Sequence, residues 1–161
     1  MNNSSSRTLK RAPKPTRYFE DFNVGEKYII PSRTMTSGLF AMFQAASGDN
    51  DPIHYDVEYC RERGHKDMLA HGMQVLIQSA AGAGEFPSQV ADSLIGMVEL
   101  EAKFLGPVYR GDTLYPELEI VDLFSQNSTG VIVMKASIHN QADNLVFEGS
   151  HRYLVRKRKK N

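Results

Sequence analysis

Apolar residues recur along this chain with two different periods. Between residues 36 and 47 the spacing is helical: Leu39, Met42, Phe43 and Ala46 fall at i, i+3, i+4 and i+7, one face of a helix. Thr36 or Ser37 offers an N-cap oxygen and Gly48 a stop. Asp56 to Arg63 reads as a short helix, capped by Asp56 and closed by Gly64. A longer helix is expected after His71-Gly72, because Met73, Leu76, Ile77, Ala80, Ala81 and Gly84 form a second stripe that turns small towards its C-terminal half. Small residues let a sheet approach a helix closely, and that packing is expected to offset the helix-propensity cost of Gly82 and Gly84. Pro87 ends the element.

Beyond residue 93 the period changes to two. Val98, Leu100, Ala102 and Phe104 alternate with Glu99, Glu101 and Lys103, which predicts a half-buried strand. Gly106-Pro107 breaks it and Arg110-Gly111-Asp112 turns the chain. Strands are expected over Leu114–Phe124 (with Pro116 marking an edge or a bulge), over Ile132–Ile138, and over Leu145–Val155, where Leu145, Phe147, Gly149, His151, Tyr153 and Val155 share a face. Tyr28–Arg33 makes a plausible N-terminal strand. Helices first and consecutive strands after predict an α+β domain, an antiparallel sheet against a long apolar helix.

Composition narrows the class. The chain has 161 residues, enough for one domain with tails, and no apolar run approaches the roughly 20 residues of a membrane helix. Its single cysteine, Cys60, excludes an intrachain disulfide and a cysteine-based zinc finger; a reducing, cytoplasmic setting is the natural reading. The formal charge is zero but unevenly spread: of 19 basic residues, four lie in 1–16 and five in 156–160, which leaves 17–155 with ten bases against 19 acids, a charge of −9. An acidic body argues against nucleic-acid binding. Residues 1–16 are expected to be a disordered basic tail, 17–155 the domain, and 156–161 a basic C-terminal tail. The N-terminus lacks the apolar stretch of a secretory signal, and Pro13 and Pro15 argue against an amphipathic targeting helix.

The chemistry concentrates in Ser47-Gly48-Asp49-Asn50-Asp51-Pro52-Ile53-His54. A loop stiffened by glycine and proline between two helices is a good place to hold reactive groups. Asp49 and His54 can converge on one small molecule, and a carboxylate and an imidazole sharing a water make a general acid–base pair. On spacing alone, local hydrogen bonding by Asp49 and His54 accounts for the same residues. No Gly-x-Ser-x-Gly elbow or glycine-rich phosphate loop is present, and His54, His65 and His71 show no recognisable metal spacing. His139 and His151 read as surface or packing residues, and Cys60 as a buried helix residue.

Residues 47–54 resemble the signature of the MaoC-like (R)-specific enoyl-CoA hydratases, Ser/Thr-Gly-Asp-x-Asn-Pro-aliphatic-His. Tyr18–Gly25, Arg33–Thr36, Ala70-His-Gly-Met73 and Phe104–Thr113 resemble further family segments in order, so the likeness spans about residues 18–155. The resemblance implies a hot-dog fold, in which an antiparallel sheet wraps a long central helix, and a homodimer or dimer of dimers. It implies an (R)-specific enoyl-CoA hydratase or 3-hydroxyacyl-CoA dehydratase that needs no metal or prosthetic group, coenzyme A being part of the substrate. Asp49 and His54 match the catalytic pair, and Gly72 the oxyanion-hole amide. Asp51, Pro52, His71, Met73 and Ser79 are candidate pocket residues. One departure stands out: Asp51 replaces the usual asparagine, so that it either couples electrostatically with Asp49 or accepts backbone N–H bonds as asparagine does. An acyl-CoA thioesterase on the same fold, or a non-catalytic acyl-CoA-binding module, are the alternatives.

Overall fold

The computed structural model describes residues 16–159. The expected N-terminal tail, apart from Thr16, lies outside the described residues. Two short strands, β1 (Lys27–Ile29) and β2 (Arg33–Thr34), precede helices α1 (Ser37–Ser47), α2 (Val57–Glu62), α3 (Gly72–Leu76) and α4 (Phe86–Gln89), and four long strands follow: β3 (Leu94–Phe104), β4 (Thr113–Ser125), β5 (Thr129–Asn140) and β6 (Leu145–Arg156). All pair antiparallel in the order β1-β4-β5-β6-β3, with β2 also on β4. The helices cover one face. Leu114, Leu118, Ile120, Ile132, Met134, Ala136, Ile138, Phe147 and Val155 project from β4, β5 and β6 into the core. No helix among the described residues is long and apolar enough to cross a membrane.

The expected N-terminal strand is split at Pro31, which leaves β1 and β2 as separate pieces of one sheet edge. Pro116 sits in the gap between them. In an antiparallel ladder the N–H and C=O of one residue point the same way; the Pro116 carbonyl accepts from the Ile30 amide at 3.1 Å, so its nitrogen, which has no hydrogen, faces the break. A bulge between Ile120 and Asp122 then ends the buried alternation of β4.

Four expectations need correction. The long central helix is broken: α3 has five residues and passes into 3-10 turns at Ile77–Ser79 and Ala81–Ala83, with Ala80 extended (ψ 118) between them. The two glycines weaken the helix there, and Gly84 lies against the backbone of β1, where an added Cβ would sit 3.3 Å from the Ile29 carbonyl. The apolar stripe also faces differently. Met73 and Ile77 are more than half exposed, and the buried side presents Gln74, Val75, Leu76, Gln78, Ser79 and Ala81. In α1 Phe40 is buried while Met42 is 69% exposed. Finally, β3 is exposed on both faces apart from Leu94 and Gly96, and it is the outermost strand, paired on one side only.

Candidate functional site

Thr36 caps α1 by accepting from the Leu39 amide, and Gly48 ends it with φ +73, a left-handed conformation that glycine adopts without penalty. The chain then turns through two linked side-chain-to-backbone bonds. Asp49 Oδ1 accepts from the Asp51 amide at 2.9 Å, and Asp51 Oδ1 accepts from the Ile53 amide at 3.1 Å. Of the two readings of Asp51, the second describes it: exposed, it caps the 3-10 turn Pro52–His54 through an oxygen, the contact an asparagine would make. Pro52 starts that turn, where no amide hydrogen is needed, and is exposed.

The turn delivers His54 inward. Its Nδ1 lies 2.6 Å from the Leu69 carbonyl. A carbonyl only accepts, so Nδ1 carries the hydrogen and Nε2 keeps its lone pair. The anchor is itself held, since the Ile53 carbonyl accepts from both the Leu69 amide and the buried Cys60 thiol. His71 has the opposite tautomer. As N-cap of α3 its Nδ1 accepts from the Met73 amide at 2.9 Å, so Nε2 holds the hydrogen, and Nε2 lies 3.1 Å from Asp49 Oδ2. The His54 and His71 rings are 5.1 Å apart, and the Phe43 ring lies 5.2 Å from His71.

The Asp49 carboxyl is held below the usual carboxylate range, chiefly by the Asp51 amide bond. Partial burial opposes this, and the His71 and His54 imidazoles add to the lowering. Asp49 and His71 side chains are 33% and 29% exposed, so the cluster opens at the surface.

Asp49, His54 and His71 each offer a ligand atom, all within 4.8 Å of one another. The tautomers oppose a metal there. A neutral imidazole that binds metal through Nε2 must carry its hydrogen on Nδ1, and the His71 Nδ1 already faces the Met73 N–H.

Gly72 opens α3 beside the cluster. A Cβ there would lie 3.2 Å from the ring of Phe104, so glycine lets that half-exposed aromatic approach the backbone. Met73 follows it into the open. Ser79, expected as pocket lining, is fully buried instead: its hydroxyl donates to the Leu76 carbonyl at 2.7 Å and meets His151 Nε2 at 3.3 Å. His151, in turn 3.3 Å from the Tyr153 hydroxyl, is a packing residue whose burial pushes its pKa down. Spacing did not reveal the Asp49–His71 bond or the Leu69 anchor, and the only available signal was a histidine placed before a helix.

The sequence model of the MaoC-like domain matches residues 21–143, from ahead of β1 through β5 and across the whole cluster. The chain belongs to the MaoC-like domain family. Among its relatives, the uncharacterized protein YdeM of Bacillus subtilis is 26% identical over 86% of this chain and 98% of its own length. The (R)-specific enoyl-CoA hydratase of Rhodospirillum rubrum is 27% identical over 66% of this chain and 71% of its own. The solved structure of a monoamine oxidase regulatory protein from Archaeoglobus fulgius superposes with a TM-score of 0.80 at 27% identity, covering 91% of this chain and 99% of that one. The family's hot-dog fold accordingly describes this domain, one antiparallel sheet curled around the α3 segment.

Proposed function

We propose that the chain is an (R)-specific enoyl-CoA hydratase, and in reverse a 3-hydroxyacyl-CoA dehydratase. The observation that carries the reading is the pairing of two acceptors on one loop: an ionised Asp49 and a His54 whose Nε2 lone pair is left free by the Leu69 carbonyl. A water between them donates one hydrogen to each, which aims its oxygen lone pair outward. As that oxygen bonds to C3 of a trans-2-enoyl thioester, one O–H bond breaks, the Asp49–His54 pair takes that proton, and the pair returns it to C2 on the same face. The C2=C3 π electrons pass through an enolate to the new C2–H bond, and the product is the (3R)-3-hydroxyacyl thioester.

Charge develops on the thioester oxygen during the addition. Gly72 brings a backbone N–H from the open end of α3, beside the ring of Phe104. With only five residues in α3, the useful group is this local amide and not a long helix dipole. One such donor contributes about 3 kcal/mol in other enzymes. His71 acts through Asp49 as a positioning residue. Its Nε2–H fixes one carboxylate oxygen while the Asp51 amide fixes the other.

The functional unit is a homodimer formed across β3. That strand is an uncovered edge bearing the exposed apolar residues Ile95, Met97, Val98, Leu100 and Phe104, a surface that soluble proteins normally cover. The chain's relationship to a hydratase that acts on enoyl-CoA supports the substrate class.

The test is loss of the conjugated enoyl absorbance with crotonyl-CoA, with chiral analysis of the product and with Asp49→Asn and His54→Ala beside the wild type. Turnover to the (3R) alcohol, abolished by both substitutions, is expected. Free-thiol release in its place would make the protein a thioesterase. Tight binding without turnover across several chain lengths would make it a binding module.

A further inference from the structure

We infer that the acyl group taken by this site carries a neutral polar group, a hydroxyl or a carbonyl oxygen, and that the Gln74 carboxamide selects it. The inference rests on the hydratase reading above and names the class of its substrate.

The other buried polar side chains are bonded. His54 meets the Leu69 carbonyl, Ser79 donates to Leu76, Ser93 to Arg17, Asp112 accepts from the Tyr109 amide, and His151 meets the Tyr153 hydroxyl. Gln78 donates from Nε2 to the Gln74 carbonyl at 3.0 Å. The Gln74 side chain is the exception. The residue is 2% exposed, and its Nε2 is, among the described residues, the one buried side-chain nitrogen or oxygen without a hydrogen-bond partner. An unpaired buried amide costs free energy that a methionine or leucine in its place would not. No protein group answers this donor, so the partner it suits comes from outside the chain.

The position of Gln74 connects it to the reaction. It is the third residue of α3, which His71 caps and Gly72 opens. Side chains on a helix lean towards its N-terminus, so the carboxamide reaches back over the turn that holds His71 and Gly72. Exposure fixes the side: Met73 and Ile77 mark the outer face of α3, whereas Gln74 and Gln78, one turn apart, lie on the inner face. His54 is buried as well, with its ring 5.1 Å from that of His71. The cluster opens to the surface on the side of Asp49 and His71. A bulky coenzyme A stays on that open side, so the acyl carbons beyond C3 run inward, and Gln74 is the polar group that the first turn of α3 offers them.

Charge restricts the class further. No lysine or arginine is buried among the described residues, and Asp49 works as a carboxylate in the same cluster. A carboxylate on the acyl chain would lose its water beside a neutral amide and be repelled by Asp49. A hydroxyl or carbonyl oxygen is less costly to desolvate and accepts from Nε2. An alkyl chain in the same place leaves the donor unpaired, and a site with such a donor discriminates against the analogue that lacks an acceptor.

The test pairs near-isosteric trans-2-enoyl-CoA esters: 4-hydroxybut-2-enoyl against pent-2-enoyl, and 5-hydroxypent-2-enoyl against hex-2-enoyl. Wild type, Gln74→Met and Gln78→Met are compared. In the wild type kcat/KM should favour the hydroxylated member at one length or both, and Gln74→Met should lower that ratio about tenfold to a hundredfold. Gln78→Met, which removes an amide already bonded within the helix, should keep the ratio. A wild-type preference for the alkyl member at both lengths overturns the inference without recourse to any variant. A ratio that Gln74→Met leaves in place overturns it too, because Gln74 is then a packing residue, as does a ratio that Gln78→Met lowers equally. Faster turnover of glutaconyl-CoA, whose acyl chain ends in a carboxylate, than of either hydroxylated ester overturns the neutral class. If the wild type turns over none of the esters, the hydratase reading fails, and selection by Gln74 is read from binding. Calorimetric titration should then show tighter binding of 5-hydroxypentanoyl-CoA than of hexanoyl-CoA, a preference that Gln74→Met removes. Equal affinities in the wild type, or a preference that survives the substitution, overturn it.

Discussion

His71 makes two bonds with two different ring atoms, and two near-isosteric substitutions separate them. In His71→Asn the amide oxygen occupies the place of Nδ1 and can still accept from the Met73 amide, but nothing reaches Asp49. In His71→Gln the terminal amide replaces Nε2 and can still donate to Asp49, while the cap on α3 is lost. An N-cap contact stabilises by about 1 kcal/mol, which in a domain of this size corresponds to about 3 °C in Tm. The Asp49 contact bears on catalysis instead, since a carboxylate free to rotate away from its water loses roughly tenfold to a hundredfold in kcat/KM. His71→Asn should therefore melt near the wild type and lose activity, whereas His71→Gln should melt lower and retain more of it. The pH profile provides a second readout. Asp49 works as a carboxylate, and its pKa is lowered first by the Asp51 amide and in smaller part by His71. Removing the His71 donor moves the acid limb of kcat/KM upward, though not fully to the ordinary carboxylate value, because the Asp51 bond persists. Thermal melts and crotonyl-CoA kinetics from pH 4 to 8 decide the matter. Full activity with an unmoved acid limb in His71→Asn would refute the positioning role.

Three further outcomes follow from packed groups. Ser79→Ala leaves His151 Nε2 without its partner, so unfolding in urea should show a loss of about 1–3 kcal/mol, with KM unchanged; a raised KM would return Ser79 to the pocket. Gly149→Ala places a Cβ 2.4 Å from the Glu101 carbonyl on β3. That contact can be relieved only by shifting the strand, so urea titration should show a loss of about 1–3 kcal/mol; neutral stability would refute the β3–β6 register. His151 is buried with a pKa below its usual 6.5, so the unfolded chain binds its proton first. Its contribution to stability is full above pH 6.5 and declines as pH falls below it. The fall in Tm between pH 7 and 5 should be smaller in His151→Gln, and an identical slope would assign the titration elsewhere.

Much of this protein is written in local pattern. The cap at Thr36, the left-handed stop at Gly48, the Asp56 cap and the alternation of β4, β5 and β6 each depend on neighbours in sequence, so residue order alone determines them. The spacing of Asp49 and His54, with Pro52 between them, likewise carries the turn that brings them together. What periodicity could not determine was which side of an element is covered. Met73 and Ile77 follow an apolar stripe, yet the sheet meets the neighbouring face, where Gln74, Gln78 and Ser79 are buried. The alternation of β3 has the same form as that of β5, but β3 has a neighbour on one side only and β5 on both. Burial depends on the position of a strand within the sheet, and that position is a long-range property. The same holds for the Asp49–His71 bond. It joins residues 22 apart through two loops, whose approach is governed by the packing of α1 and α3 and by a single histidine tautomer.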